Sequence, residues 1–178
     1  AAHSIYFYGL YAYVVKDNTG ISEDFIIYDI SNPSSIATTS GVNLGVVGRG
    51  IYVSGRYAYV TVNVGGDEFL IYDISNPANP ILVGGTDLGA TGLGVYVSGR
   101  YAYVMVSDAA GNDFRIYDIS NPTTPIMVGG VDLGTQGRNI FVSGRYAYVT
   151  KQNIGIIEDF IIYDVYNHSL IATTSAID

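Results

Sequence analysis

The second quarter of the chain shows the pattern most clearly. Gly50-Ile51-Tyr52-Val53 is a short apolar run ended by Ser54-Gly55-Arg56, a hairpin loop whose glycine can take φ > 0. From Tyr57 to Asn63 the side chains alternate, Tyr57, Tyr59 and Thr61 facing one way and Ala58, Val60 and Val62 the other. Gly65-Gly66 marks a turn. Phe69 to Ile74 reads as a third strand, stopped by Ser75-Asn76-Pro77, and Ile81-Leu82-Val83 as a fourth, stopped by Gly84-Gly85. Both faces of these strands are largely apolar, which describes a sheet sandwiched between two like sheets. No window carries the period of an amphipathic helix.

The whole pattern recurs. Tyr-Ala-Tyr-Val begins at Tyr11, Tyr57, Tyr101 and Tyr146, a period of about 45 residues, within the range of a propeller blade. Phe25 to Pro33, Phe69 to Pro77 and Phe114 to Pro122 are near copies, and Phe160 to His168 is a worn fourth. Cutting before each first strand gives one propeller domain, 1–178, of four units: 1–45, 46–89, 90–134 and 135–178. The expected fold is all-β, a β-propeller of four-stranded antiparallel blades. A helical solenoid is excluded by the strand content, and a parallel β-helix needs a shorter repeat.

The end units bear on closure. An open array ends in polar caps, yet Ile5, Phe7, Val14, Phe160, Ile161 and Ile162 hold blade-core positions here. Units one and four also share Glu-Asp-Phe-Ile-Ile-Tyr-Asp and Ile-Ala-Thr-Thr-Ser, whereas units two and three resemble each other. The chain is expected to be either part of a larger ring, completed by self-association or by further repeats, or a compact four-blade ring. The larger ring is favoured.

Composition narrows the function. Hydrophobic residues are 48% and charged residues 13%, with 17 Tyr and 22 Gly, so the chain is a folded strand protein. The formal charge of −8 argues against a nucleic-acid partner. No apolar run has the length of a membrane span. There is no Cys, hence no thiolate nucleophile and no Cys-held zinc. The first residues, Ala1-Ala2-His3-Ser4, fit a mature secreted product, a processed chain or a piece of a longer protein alike.

The motif Phe-x-Ile-Tyr-Asp-Ile-Ser-Asn-Pro, preceded by Gly-Arg-Tyr-Ala-Tyr-Val and followed by Pro-Ile-x-Val-Gly, resembles the LVIVD repeat over essentially the whole chain. Departures are Phe for the first Leu and Tyr for the second Val of the name motif, Leu10 where other units have Arg, and Val165-Tyr166-Asn167-His168 in place of Ile-Ser-Asn-Pro. The resemblance implies a β-propeller of bacterial or archaeal type and an extracellular or cell-surface location. It carries no catalytic residue set and no cofactor.

Three groups of polar residues stand out. Asp29, Asp73, Asp118 and Asp164 end the third strand of each unit and are expected to serve structural turns, accepting backbone N–H groups. The loops between second and third strands vary most between units. Their Asp17, Asp67 and Asp108 are weak candidates for a hard cation, although no loop has EF-hand spacing, and ordinary solvated loops are the expected reading. Finally, alignment places His3, Arg49, Leu93 and Arg138 at one position just before the first strand, near Asp87 and Asp132 in the preceding connections. In a propeller the first strand lines the channel, so these side chains ring one mouth. Arg–Asp pairs pinning adjacent blades are the favoured role, and a small anionic or sugar-like ligand is the alternative.

Catalysis has little to draw on. His3 and His168 lie in different parts of their units, and no nucleophile elbow, His-x-x-x-His pair or phosphate loop occurs. The leading expectation is therefore a non-catalytic propeller that binds a protein or glycan or joins an extracellular assembly. A filament or surface-layer subunit and an enzyme using the channel are the alternatives.

Overall fold

The computed structural model describes residues 1–17, 20, 22–63, 65–107, 111–152 and 159–177. Their regular structure is sixteen strands in four sheets. Blade one holds β1 (Ala2–Tyr8), β2 (Tyr11–Lys16), β3 (Phe25–Asp29) and β4 (Ala37–Val42). Blade two holds β5 (Gly48–Ser54), β6 (Tyr57–Val62), β7 (Phe69–Asp73) and β8 (Ile81–Thr86). Blade three holds β9 (Thr91–Ser98), β10 (Tyr101–Ser107), β11 (Phe114–Asp118) and β12 (Ile126–Val131). Blade four holds β13 (Gly137–Ser143), β14 (Tyr146–Lys151), β15 (Phe160–Asp164) and β16 (Ala172–Ile177). Each sheet is an antiparallel meander in chain order, so four blades of a β-propeller follow one another along the chain. The first hairpin of each blade is tight because Gly9, Gly55, Gly99 and Gly144 all take φ near +60°, a conformation that disfavours a side chain.

The core lies between blades, and the alternation read in the second strand decides which residue enters which junction. Ala58, Val60 and Val62 pack back against Tyr13, Phe25 and Ile27 of blade one. Tyr59, on the other face with Phe69 and Ile71, packs forward against Val95, Val97 and Tyr117 of blade three. The junction of blades three and four repeats the scheme, with Tyr103, Phe114 and Ile116 meeting Ile140, Val142 and Tyr163. A Phe–Tyr ring contact marks each junction: Phe25–Tyr72 at 5.5 Å, Phe69–Tyr117 at 5.7 Å and Phe114–Tyr163 at 5.7 Å.

The fourth strand does not stop at its glycines, contrary to the sequence expectation; β8 runs through Gly84-Gly85 to Thr86. A Cβ on Gly84 would fall 2.1 Å from the carbonyl oxygen of Pro122, and one on Gly129 would meet that of His168 at 1.7 Å. The next blade's turn lies directly on the outer strand, and glycine there marks a close approach of two backbones.

β1 packs on β5, β5 on β9 and β9 on β13, with no comparable packing of β13 on β1 among the described residues. The outer faces of the end blades stay open accordingly. Phe7 is 61% exposed where its equivalents Val53 and Val97 are buried, and Phe141 is 56% exposed.

Candidate functional site

An antiparallel meander places alternate connections at opposite ends of a blade. One rim therefore carries the hairpins and the Asp-Ile-Ser-Asn-Pro turns. The other carries the connections between blades and the start of each inner strand. The second rim is the mouth that the sequence alignment marked out.

At this mouth each inner strand is irregular. In β5, Gly48 pairs with Val62 and Gly50 with Thr61, leaving Arg49 as the extra residue of a β-bulge. His3 is the extra residue in β1 and Arg138 in β13, and β9 shifts register at the same place. A bulge breaks the in-and-out alternation and re-aims the bulged side chain. His3, Arg49, Leu93 and Arg138 thereby line one cleft of about 530 Å³, together with Gly50 and Asn139. The strands converge closely behind it: a Cβ on Gly50 would meet the Leu93 carbonyl oxygen at 2.3 Å, and the Thr61 hydroxyl donates to that same carbonyl.

The two guanidinium groups of the cleft have no acidic partner among the described residues. Arg49 is half-buried, and its Nε lies out of solvent without a hydrogen-bond acceptor. Asp87 and Asp132 are turned to other work. Asp87 Oδ1 accepts the Gly89 N–H at 2.6 Å and Asp132 Oδ1 that of Gly134 at 2.7 Å, both as Asx turns. His3 Nε2 contacts Asp17 Oδ1 at 2.6 Å. The Ala1 amino group, first, and His3, second, hold the Asp17 carboxyl down to about 2. Asp67 is exposed on its loop, and Asp108 lies outside the described residues. Among those residues no three carboxylate or imidazole groups converge as a metal site would require.

The opposite rim gives Asp29, Asp73, Asp118 and Asp164 their surroundings. Each accepts the N–H two residues on, at 2.8–3.0 Å: Ser31, Ser75, Ser120 and Tyr166. Three of them also take an ion pair from the hairpin arginine of their own blade: Arg56–Asp73, Arg100–Asp118 and Arg145–Asp164. Each of these guanidinium groups lies over the next tyrosine, 5.3–5.5 Å from its ring centre. The Arg56 hydrogen bond and the Ser75 turn hold Asp73 down to about 2. Bonds from Ser120, then from Arg100, do the same for Asp118. Leu10 removes the pair from blade one, where the Ser31 bonds alone lower Asp29. The repeat thus contains an Arg–Asp pair, placed on the hairpin rim within a blade instead of across the mouth.

A second acidic series escaped the sequence reading. The residue before the Phe of each third strand is acidic, and Asp24, Glu68 and Asp113 are buried. They accept the N–H of Leu44, Leu88 and Leu133 at 3.2, 2.9 and 3.1 Å, tying the inter-blade connection to the sheet. The signal was an acid followed by Phe in every unit, hidden because these acids adjoin loops that otherwise vary. His168 occupies the place of Pro77, on the hairpin rim. It stacks on Tyr101 with centroids 3.8 Å apart, and burial lowers its pKa.

The sequence matches the LVIVD repeat four times, over residues 1–43, 48–87, 92–133 and 134–173. No curated protein matches it by sequence. Solved structures similar to it include the computationally designed Ika4 protein, at TM-score 0.62 and 8% identity over 100% of this chain and 92% of that one. Hydrazine synthase of Kuenenia stuttgartiensis superposes at TM-score 0.74 and 14% identity over 99% of this chain and 48% of that one. The β-propeller domain of Cps50 (Swd1) from Myceliophteria thermophila does so at TM-score 0.66 and 13% identity over 94% of this chain and 56% of that one. The chain therefore spans about half the length of the last two, and identities this low speak to the fold alone.

Proposed function

Since the chain belongs to the LVIVD-repeat family and folds as four propeller blades, we propose that it is a non-catalytic, secreted or cell-surface binding module. Its ligand is the acidic end of a glycan, taken at the channel mouth. The observation that carries this reading is a pair of guanidinium groups, Arg49 and Arg138, that share one cleft and have no acidic partner among the described residues. Guanidinium forks match a carboxylate or sulfate in geometry as well as charge. A cleft of about 530 Å³ is in the usual size range for small ligands. The overall charge of −8 repels long polyanions while leaving a local positive spot at the mouth, which favours one terminal acid group over a highly sulfated chain.

The two histidines lie on opposite rims, and in the cleft lining His3 is engaged with Asp17 while the Ser4 hydroxyl oxygen accepts the Ile51 N–H, which supports a binding role over a catalytic one. The extracellular address is part of the proposal and is motivated by the family resemblance alone. Calorimetric titration with a glucuronate-ended and a glucose-ended disaccharide tests the site. The reading expects heat only with the acid sugar, declining with salt and absent in the Arg49→Ala/Arg138→Ala variant. Equal binding of the neutral sugar, or binding retained by the double variant, would overturn it.

A further inference from the structure

We propose that two copies of this chain close into one eight-bladed ring, with blade four of each seated on blade one of the other. The inference concerns the end faces and does not depend on what the mouth binds. Every internal junction joins a forward face, such as Tyr59, Phe69 and Ile71, to a backward face, such as Val95, Val97 and Tyr117. The two open faces of the molecule are the missing halves of this same junction. Blade four presents Tyr148, Phe160 and Ile162 forward, all less buried than their counterparts Tyr103, Phe114 and Ile116. Blade one presents Ile5 and Phe7 backward, 53% and 61% exposed.

The polar groups match too. The Thr61 hydroxyl donates across its junction to the carbonyl of Leu93. Thr150, at the same position in blade four, is exposed and among the described residues reaches its own blade's Asn139 carbonyl, at 3.5 Å. The row Tyr6, Tyr52, Tyr96, Phe141 runs from blade to blade with ring centres 4.5, 4.7 and 5.0 Å apart, and its last ring is left uncovered. Both complementary faces belong to one chain, so a second copy supplies everything each end lacks. The contact is head-to-tail and must either close or grow. Closure is favoured over growth because the four blades superpose on 47% of the computationally designed Ika8 protein, at TM-score 0.64 and 9% identity, so two such arcs account for nearly the whole of that chain. Closure brings a second Arg49 and Arg138 to the same channel mouth.

The chain has no Cys, which makes a cross-link across the seam easy to read. A Cβ built on Gly48 lies 2.7 Å from that of Val15, and one on Gly92 lies 2.9 Å from that of Thr61. Ala2 and Thr150 are the matching positions at the seam. The small widening that Ala2's own methyl group imposes brings them toward the roughly 3.5–4.5 Å of a disulfide. The Ala2→Cys/Thr150→Cys variant, oxidised at micromolar concentration, is expected to give a covalent two-chain species without free thiols. Wild-type protein should scatter light as twice its 19.1 kDa chain mass. An oxidised single chain would show self-closure into four blades, a ladder of higher multimers would show an open filament, and a wild-type monomer would show unpaired ends. Each of these overturns the proposal.

Discussion

Two sets of arginines on this molecule have the same chemistry and opposite circumstances. Arg56, Arg100 and Arg145 sit on the hairpin rim, each with an aspartate of its own blade and a tyrosine beneath it. Arg49 and Arg138 sit on bulges at the mouth with no acid opposite them among the described residues. The rim set is written into the repeat, so its role can be assigned to the fold. The mouth set occurs in two of four equivalent positions, where the fold of the other two blades is built with His3 and Leu93 instead. A charge that the repeat does not require, and that no described acid neutralises, is available to a ligand.

The largest expected effect separates the two sets. The Arg49→Ala/Arg138→Ala variant should lose about 100-fold or more in affinity for the acid sugar, the scale of two charge-assisted contacts. Its melting temperature should stay within about 2 °C of wild type, since no acid among the described residues pairs with these groups. Asp118→Ala should do the reverse. It removes the acceptor of the Ser120 turn and of Arg100 together, so thermal unfolding should begin several degrees lower while titration with the sugar is unchanged. A double variant that melts early and still binds would exchange the two roles.

Acid provides the next test. Asp73 and Asp118 titrate near 2 in the folded chain against 3.8 without their partners. The stability they add is therefore fully present above the upper value and drains away as the pH falls through 3.8 toward 2. Melting curves recorded from pH 5 to pH 2 should fall over that window, and Asp73→Asn/Asp118→Asn should flatten the fall. An unchanged slope in the variant would assign acid unfolding to other carboxylates. The smallest effect is expected from Leu10→Arg, which gives Asp29 the pair that blade one lacks. Exposed ion pairs contribute little, so a gain of about 1–2 °C in melting temperature is the expected scale, read by differential scanning calorimetry.

Much of this was legible in the sequence, and the reasons are physical. Period, strand order and the two-sided core follow from alternation and turn residues, and Tyr59 and Val60 enter opposite junctions as their spacing requires. The mouth positions His3, Arg49, Leu93 and Arg138 emerged from alignment alone because a repeat stacks equivalent residues around an axis. Their partners did not. Asp87 and Asp132 were close in sequence to the arginines, but a short connection turns its own Asp back onto Gly89 or Gly134 before it can reach a neighbouring blade. The bulges were invisible because an extra residue in one strand leaves no mark on composition. The glycines of the outer strand read as stops because single-sequence reasoning sees a missing side chain and not the Pro122 or His168 backbone that needs the space.

The central claim, that rim arginines serve the fold and mouth arginines await an anion, is tested most directly by the side-chain Nε–H resonances of the arginines in a ¹H–¹⁵N spectrum. Stepwise addition of sodium glucuronate at constant ionic strength should move Arg49 and Arg138 with a common saturating curve and leave Arg56, Arg100 and Arg145 in place. Equal displacement of both sets, or movement confined to the rim, would contradict the account.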